Sequence, residues 1–334
     1  MRIAIVNDMP LAVEALRRAL AHAPEHQLIW VANSGAEAVQ RCCEELPELL
    51  LMDLQMPEMD GVEATRQIMA NTPCAILIVT ADVERQISRV FEAMGHGALD
   101  VVATPALGAA QLPDAAALLR KIHNLGLLLG QKALGKMPEP IQRGRNGCRQ
   151  RLVVIGASAG GPASLVELLR QLPPTFPAAI VLVQHVDETF AAGMAQWLAS
   201  ESPLPVRLAH AGDVPQQGAV LLAGSNDHLV LQRNGELSYC AEPSAHIYRP
   251  SIDVFFDSVV ANWRGEAIGV ILTGMGRDGA QGLLNMRRRG YMTIAQDQAS
   301  SAVYGMPKAA AQLEAATEIL PLAEIGRRLM ALCG

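Results

Sequence analysis

Short apolar runs alternate with stretches of helical spacing along the first third of the chain. Ile3 to Val6, Leu28 to Ala32, Leu49 to Met52, Ala75 to Thr80 and Leu99 to Val102 read as strands. Between them, Pro10 to Ala21, Gly35 to Glu45, Gly61 to Ala70 and Glu84 to Met94 carry the period of amphipathic helices, and Pro113 to Leu129 adds a long closing helix. Five β-α repeats are the sequence form of a doubly wound parallel sheet, an α/β fold.

The pattern lapses from Gly130 to Gln150. Gly130, Gly135, Pro138, Pro140, Gly144 and Gly147 stand there among Lys132, Lys136, Arg143, Arg145 and Arg149, with no periodic apolar face. That composition predicts an exposed linker. A second α/β block opens at Arg151, with strands expected over Leu152 to Ile155, Ala179 to Gln184, Val206 to Ala209, Ala219 to Ala223, Ala267 to Leu272 and Met292 to Ala295. Helices are expected over Ser164 to Gln171, Phe190 to Ser200, Ile252 to Asn262, Gly279 to Arg289 and Ala323 to Leu332. His228 to Arg233 and Glu236 to Tyr239 form a hairpin pattern with Asn234-Gly235 as a two-residue turn. The division this implies is a first domain over 1–124, a linker over 125–150 and a second domain over 151–334.

Composition agrees with two domains. The chain has 334 residues, half of them hydrophobic but only 4% aromatic, with Ala, Leu and Val carrying the apolar load. Small and branched residues suit helix–sheet layers rather than an all-β sandwich. The net charge of −6 argues against a general affinity for nucleic acid, whose binding proteins cluster positive charge. No apolar run is long enough to span a bilayer, and the Met1-Arg2-Ile3-Ala4 start lacks the layout of a signal peptide. The six cysteines form no C-x-x-C pair, as expected of free thiols in a reducing cytosol. A cytoplasmic location is therefore expected.

In a parallel α/β sheet, functional groups gather at the carboxyl ends of the strands. Those ends read Val6-Asn7-Asp8, Met52-Asp53 and Val79-Thr80 in the first domain. Asp8 and Asp53 would meet at one edge, where two carboxylates suit a hard cation such as Mg²⁺. Asp53 could accept a phosphoryl group as a carboxylate nucleophile, and the Thr80 hydroxyl could bond the phosphate. The run Leu51-Met52-Asp53-Leu54-Gln55-Met56-Pro57-Glu58-Met59-Asp60-Gly61 resembles the response-regulator receiver family. The resemblance implies a flavodoxin-like fold, Asp53 as phosphorylation site, Asp8 as a metal ligand beside it, and a CheA-type histidine kinase as phosphate source. Two positions depart from the family: Asn7 stands where a second acidic residue is usual, and Thr104-Pro105 replaces a Lys-Pro whose ammonium pairs with the phosphate.

In the second block, Leu152 to Pro162 is a strand, a Gly-rich turn and a helix start. Gly156-x-Ser158-x-Gly160 fits a nucleophile elbow, in which a strained turn lifts a Ser hydroxyl clear of the sheet. A dinucleotide-binding turn is the competing use of such a loop, but G-x-G-x-x-G is absent and no acidic residue ends the next strand. Gln184-His185 stands there instead. A Ser nucleophile needs a base. Among eight histidines, His185 is favoured by its place at a strand end, with His228 and His246 as further candidates. Asp278, in the Gly-rich loop after Val270 to Leu272, could orient that base, although an Asp beside Gly is commonly only a turn or cap residue.

Gly156-Ala157-Ser158-Ala159-Gly160-Gly161, Gln184-His185 and Thr273-Gly274-Met275-Gly276-Arg277-Asp278-Gly279 resemble the three signatures of the CheB family, the chemotaxis protein-glutamate methylesterases. Gln296-Asp297 and Tyr304-Gly305-Met306-Pro307 fit as well, so the likeness covers nearly the whole chain. It implies Ser158, His185 and Asp278 as a catalytic triad that needs no cofactor. It also implies glutamate methyl esters, and glutamines, on a methyl-accepting receptor as substrates. The Asn7-Asp8-Met9-Pro10 start and the missing Lys look most like the WspF-type members of a surface-sensing pathway. Two rivals remain: a phospho-switched, non-catalytic binding regulator with a vestigial triad, and a nucleotide-binding regulator.

Overall fold

The apolar runs become parallel strands, and the stretches between them become helices that cover both faces of each sheet. The computed structural model describes residues 1–81, 83–105, 113–130, 151–244, 246 and 248–334. They fall into two units, Met1–Ala133 and Leu134–Gly334, each described by itself.

The first unit runs β1 (Arg2–Val6), α1 (Pro10–Ala21), β2 (Gln27–Ala32), α2 (Gly35–Glu44), β3 (Leu49–Met52), α3 (Gly61–Asn71), β4 (Ala75–Thr80), α4 (Val83–Gly95), β5 (Asp100–Ala103) and α5 (Pro113–Gly130). Its strands form one parallel sheet in the order β2-β1-β3-β4-β5. The central strands β3 and β4 are buried along their whole length because helices lie on both sides. Local chemistry sets the helix starts. Ser34 Oγ accepts from Glu37 N at 3.2 Å before α2, and Asp60 Oδ1 accepts from Glu63 N at 2.9 Å before α3. Helix α5 continues to Gly130, into the stretch expected as linker. The remainder of that stretch, 131–150, lies outside the described residues.

The second unit runs β6 (Arg151–Ala157), α6 (Gly161–Arg170), β7 (Ala179–Gln184), α7 (Glu188–Glu201), β8 (Val206–Leu208), β9 (Val220–Leu222), β10 (His228–Leu231), β11 (Leu237–Cys240), α8 (Ile252–Asn262), β12 (Glu266–Ile271), α9 (Ala280–Arg288), β13 (Met292–Gln296), α10 (Met306–Gln312), β14 (Glu318–Leu320) and α11 (Leu322–Cys333). Seven strands form a parallel sheet ordered β14-β13-β12-β6-β7-β9-β8. The chain winds outward from β6 in one direction through β7, then returns to β12 on the other side of β6. That reversal makes the carboxyl ends of β12, β6 and β7 a topological switch point, the usual place for a site in such a sheet.

Three details differ from the sequence expectation. Helix α10 and strand β14 were not expected from the pattern. The β10–β11 hairpin closes through Arg233-Asn234-Gly235 rather than two residues: Leu231 pairs with Leu237, Gln232 N bonds Glu236 O at 2.8 Å, and Gly235 takes φ of +89°. A left-handed glycine at the third loop position is the usual device of a three-residue hairpin. Among the described residues, no helix is long and apolar enough to cross a membrane.

Candidate active site

Strand register brings the predicted triad residues to one edge. Ala157 pairs with Gln184 between β6 and β7, and Ile271 pairs with Gly156 between β12 and β6. Ser158 and His185 are each the next residue after their strand, and Thr273-Gly274 lies beyond β12. Main-chain bonds continue past the strand ends: Ser158 N to Thr273 O at 3.0 Å and His185 N to Ala157 O at 3.1 Å. Gln184 then ties the two together, because its Nε2 donates to Ser158 O at 2.9 Å and to His185 O at 3.3 Å. The sequence marks Gln184 only as part of a family signature.

The turn after β6 is built differently from the expected elbow. Among the described residues, only Glu58 and Glu314 are non-glycines with positive φ, so Ser158 is not in the left-handed region. Gly160 takes that conformation instead, with φ of +74° at the start of α6. A glycine absorbs the turn at no steric cost, and Ser158 is left with ordinary backbone geometry. Gly274 packs closely against Ser158: a Cβ added there would lie 2.8 Å from Ser158 Cβ and 2.3 Å from Met306 Sδ.

His185 Nε2 lies 2.8 Å from Asp278 Oδ2. A carboxylate accepts, so Nε2 carries the proton and Nδ1 holds the lone pair. Nδ1 is buried and has no hydrogen-bond partner among the described residues. The Ser158 hydroxyl makes no hydrogen bond among the described residues. The His–Asp half of the expected line is therefore formed, and the Ser–His half is open, as catalytic hydrogen bonds often are before substrate binds. Both side chains are nearly enclosed, with His185 5% and Asp278 9% exposed.

The Asp278 carboxylate is cradled by the first turn of α8. Ile252 N donates to Oδ2 at 2.7 Å, Asp253 N to Oδ1 at 3.2 Å, and the Ser251 hydroxyl to Oδ1 at 2.8 Å. Burial alone pushes the Asp278 pKa up, but the His185 contact and these donors outweigh it and hold the carboxyl below its usual range. Asp278 is thus more than the turn residue that its glycine neighbours suggest. Ser251 was not singled out in the sequence, although a Ser directly before the predicted helix start at Ile252 is an N-cap signal. Asp253 sits beside Asp278, and its Oδ1 accepts from Gly282 N at 2.6 Å. Burial first, then the Asp278 charge, push its pKa up to about 8.

The other two candidate bases are placed elsewhere. His228 is fully buried with both nitrogens engaged: Nδ1 accepts from Ser251 N at 3.0 Å and Nε2 donates to Pro243 O at 3.1 Å. His246 packs edge-on against it, with ring centroids 5.6 Å apart.

In the receiver-like unit, Asp53 follows β3 and is anchored by its N–H to Val6 O at 2.9 Å. Its Oδ1 accepts from Leu54 N at 2.7 Å and its Oδ2 from Asn7 Nδ2 at 3.1 Å. Burial raises the Asp53 pKa to about 6, against hydrogen bonds from Leu54 and Gln55, and the charge of Asp8 adds to the rise. Two carboxylates close enough to repel one another fit a shared divalent cation. Asn7 contributes differently from the acidic residue it replaces: its Oδ1 accepts from Met9 N at 2.8 Å while its amide faces Asp53. Thr80 Oγ1 is fully buried and has no hydrogen-bond partner among the described residues, an unused donor at the neighbouring strand end. Thr104 N bonds Thr80 O at 2.9 Å. Asp8 lines an open pocket with Gln55, Met56, Pro57, Glu58, Asp60 and Arg89, where Arg89 pairs with Asp60.

Comparisons agree with this division of labour. The family model for CheB methylesterase matches residues 153–329, and that for the response regulator receiver domain matches residues 3–116. A protein-glutamate methylesterase/protein-glutamine glutaminase of Pseudomonas aeruginosa is 66% identical over 330 residues, covering 98% of each chain. One from Pseudomonas fluorescens is also 66% identical, over 99% of this chain and 98% of its own. Among solved structures, the CheB methylesterase catalytic domain of Thermotoga maritima aligns with 55% of this chain and 98% of its own at 36% identity, with a TM-score of 0.53. With matches of this extent and identity, the chain belongs to the CheB methylesterase family.

Proposed function

We propose that this chain is a phosphorylation-regulated serine hydrolase that removes methyl groups from glutamate methyl esters on a methyl-accepting receptor, and deamidates glutamines by the same chemistry. The observation that carries this reading is the His185–Asp278 hydrogen bond beside Ser158, with a buried Nδ1 on the imidazole that has no partner among the described residues. That nitrogen is the base. It takes the Ser158 proton as Oγ forms a bond to the γ-carbonyl carbon of the substrate side chain. The imidazolium, held by the Asp278 carboxylate, then protonates the methoxy group as the C–O bond breaks and methanol leaves. Water attacks the acyl-enzyme next, gives its proton to Nδ1, and the proton returns to Oγ as glutamate departs. With a glutamine substrate, ammonia leaves in place of methanol.

The tetrahedral oxyanion needs N–H donors. Gly274 is unsuited as a donor because its N–H bonds Val303 O at 3.0 Å. Ala159 and Met275, whose N–H groups have no hydrogen-bond partner among the described residues, are the better candidates. The close identity to named methylesterase/glutaminases over nearly full length supports the substrate class, and nothing observed favours a vestigial triad. The domain limits 1–124 and 151–334 remain our division of the chain.

Asp8 and Asp53 would hold Mg²⁺ in the receiver, and the ion would offset charge on a phosphoryl group transferred from a CheA-type histidine kinase. Asp53 is the acceptor carboxylate, Asn7 and the Leu54 N–H orient it, and Thr80 Oγ1 is free to bond the phosphate. Release of methanol by the full chain from a receptor fragment carrying glutamate methyl esters tests the reading. Turnover lost in Ser158→Ala is expected; no methanol from the wild type, or equal release by the variant, would refute it.

A further inference from the structure

The imidazole of His185 is stacked on Tyr248. Their ring centroids are 3.8 Å apart and the planes differ by only 11°. We propose that Tyr248 is a positioning residue for His185, presented by a loop that His228 fastens; the inference rests on His185 being the base assigned above. A single hydrogen bond from Nε2 to Asp278 fixes one edge of the imidazole but leaves its tilt free. Face-to-face contact with a second ring removes that freedom and aims Nδ1 in one direction.

The loop is built to hold the ring there. His228 holds described residues on either side of Tyr248: Nε2 donates to Pro243 O at 3.1 Å, and Nδ1 accepts from Ser251 N at 3.0 Å. His228 is fully buried, and this bonding pattern requires its neutral form. Burial lowers its pKa, which favours that form. Within the same few residues, Ser251 and Ile252 bond the Asp278 carboxylate. One short segment therefore sets both the plane of His185, through Tyr248, and the position of the group that holds its edge.

The stack also acts during the reaction. When His185 takes the Ser158 proton it becomes a cation lying against an aromatic face, an arrangement the ring quadrupole stabilises. The benefit exists mainly once the charge has formed, so it belongs to kcat more than to substrate binding.

Three variants of the full chain test this. Tyr248→Leu keeps apolar bulk and loses the aromatic face; kcat for methanol release should fall about tenfold, or about 1.4 kcal/mol, with KM nearly unchanged. Tyr248→Phe keeps the face and loses the hydroxyl; it should restore most of the rate. Tyr248→Met provides the same comparison if the Leu variant does not fold by thermal melting. A Leu or Met variant as fast as wild type would overturn the proposal, as would a Phe variant as slow as Leu. If wild type releases no methanol, the substrate reading has failed. The variants are then compared by the rate at which a fluorophosphonate labels Ser158: slower labelling in Leu than in Phe supports the stack, and equal rates refute it.

Discussion

Two neighbouring carboxylates at the start of α8 divide charge between them. Asp278 accepts from His185, Ser251 and two main-chain N–H groups and stays ionised, whereas Asp253 is pushed up to about 8 by burial and by the Asp278 charge. Replacing Asp278 with Asn keeps the shape but removes the charge that stabilises the imidazolium. By analogy with the triad of serine proteases, turnover should fall roughly 10³–10⁴-fold in a steady-state methanol assay. Asp253 gives a pH-dependent stability. Its folded pKa of about 8 lies above the ordinary value of 3.8, so between the two the native state binds the extra proton and stability falls as pH rises. Asp253→Asn has no charge to bury and escapes that loss. Urea unfolding at intervals from pH 5 to pH 8 should find the variant gaining on wild type by at most about 1.4 kcal/mol per pH unit. A constant difference would mean that Asp253 is ionised in the fold.

Helix α8 links packing to chemistry at the level of elements. Ser251 caps it, accepting from Val254 N at 3.4 Å while donating to Asp278. Ser251→Ala should cost about 1 kcal/mol of stability, read as a lower melting temperature, and should also reduce kcat because Asp278 loses a donor. Strand ends were legible in the sequence because an apolar run followed by Asp, Ser or His marks the carboxyl edge of a parallel sheet. That logic put Asp53, Ser158 and His185 just past strands, where the structure has them, and the Gly-rich loop after β12 carries Asp278 to His185. What was hidden depends on tertiary approach. Tyr248 lies in a segment without period and meets His185 only when the loop folds back. Gln184 stands in a family signature, but nothing in the sequence says that its amide bonds the main chain of both Ser158 and His185. Helix α10 and strand β14 span seven and three residues, too short for periodicity to register. The bend of the Gly-rich turn is absorbed at Gly160, since the sequence does not say which member of such a turn takes the left-handed conformation.

At the scale of the molecule, the chain joins a phospho-acceptor site to a hydrolase site, with the intervening 131–150 outside the described residues. Regulation is tested on the full chain. Acetyl phosphate with Mg²⁺ should raise the rate of methanol release from wild type and leave Asp53→Asn unchanged; an equal response in both would separate Asp53 from control of the enzyme. Thr104 removes the usual ammonium partner of the phosphate, so the response should be modest. The central claim concerns Ser158 and its base, and it can be read without any receptor. Intact and peptide mass spectrometry after treatment with a fluorophosphonate should find a single adduct on Ser158 in the wild type and little or none in His185→Ala. An adduct elsewhere, no adduct at all, or equal labelling of the variant would contradict a nucleophile activated by His185.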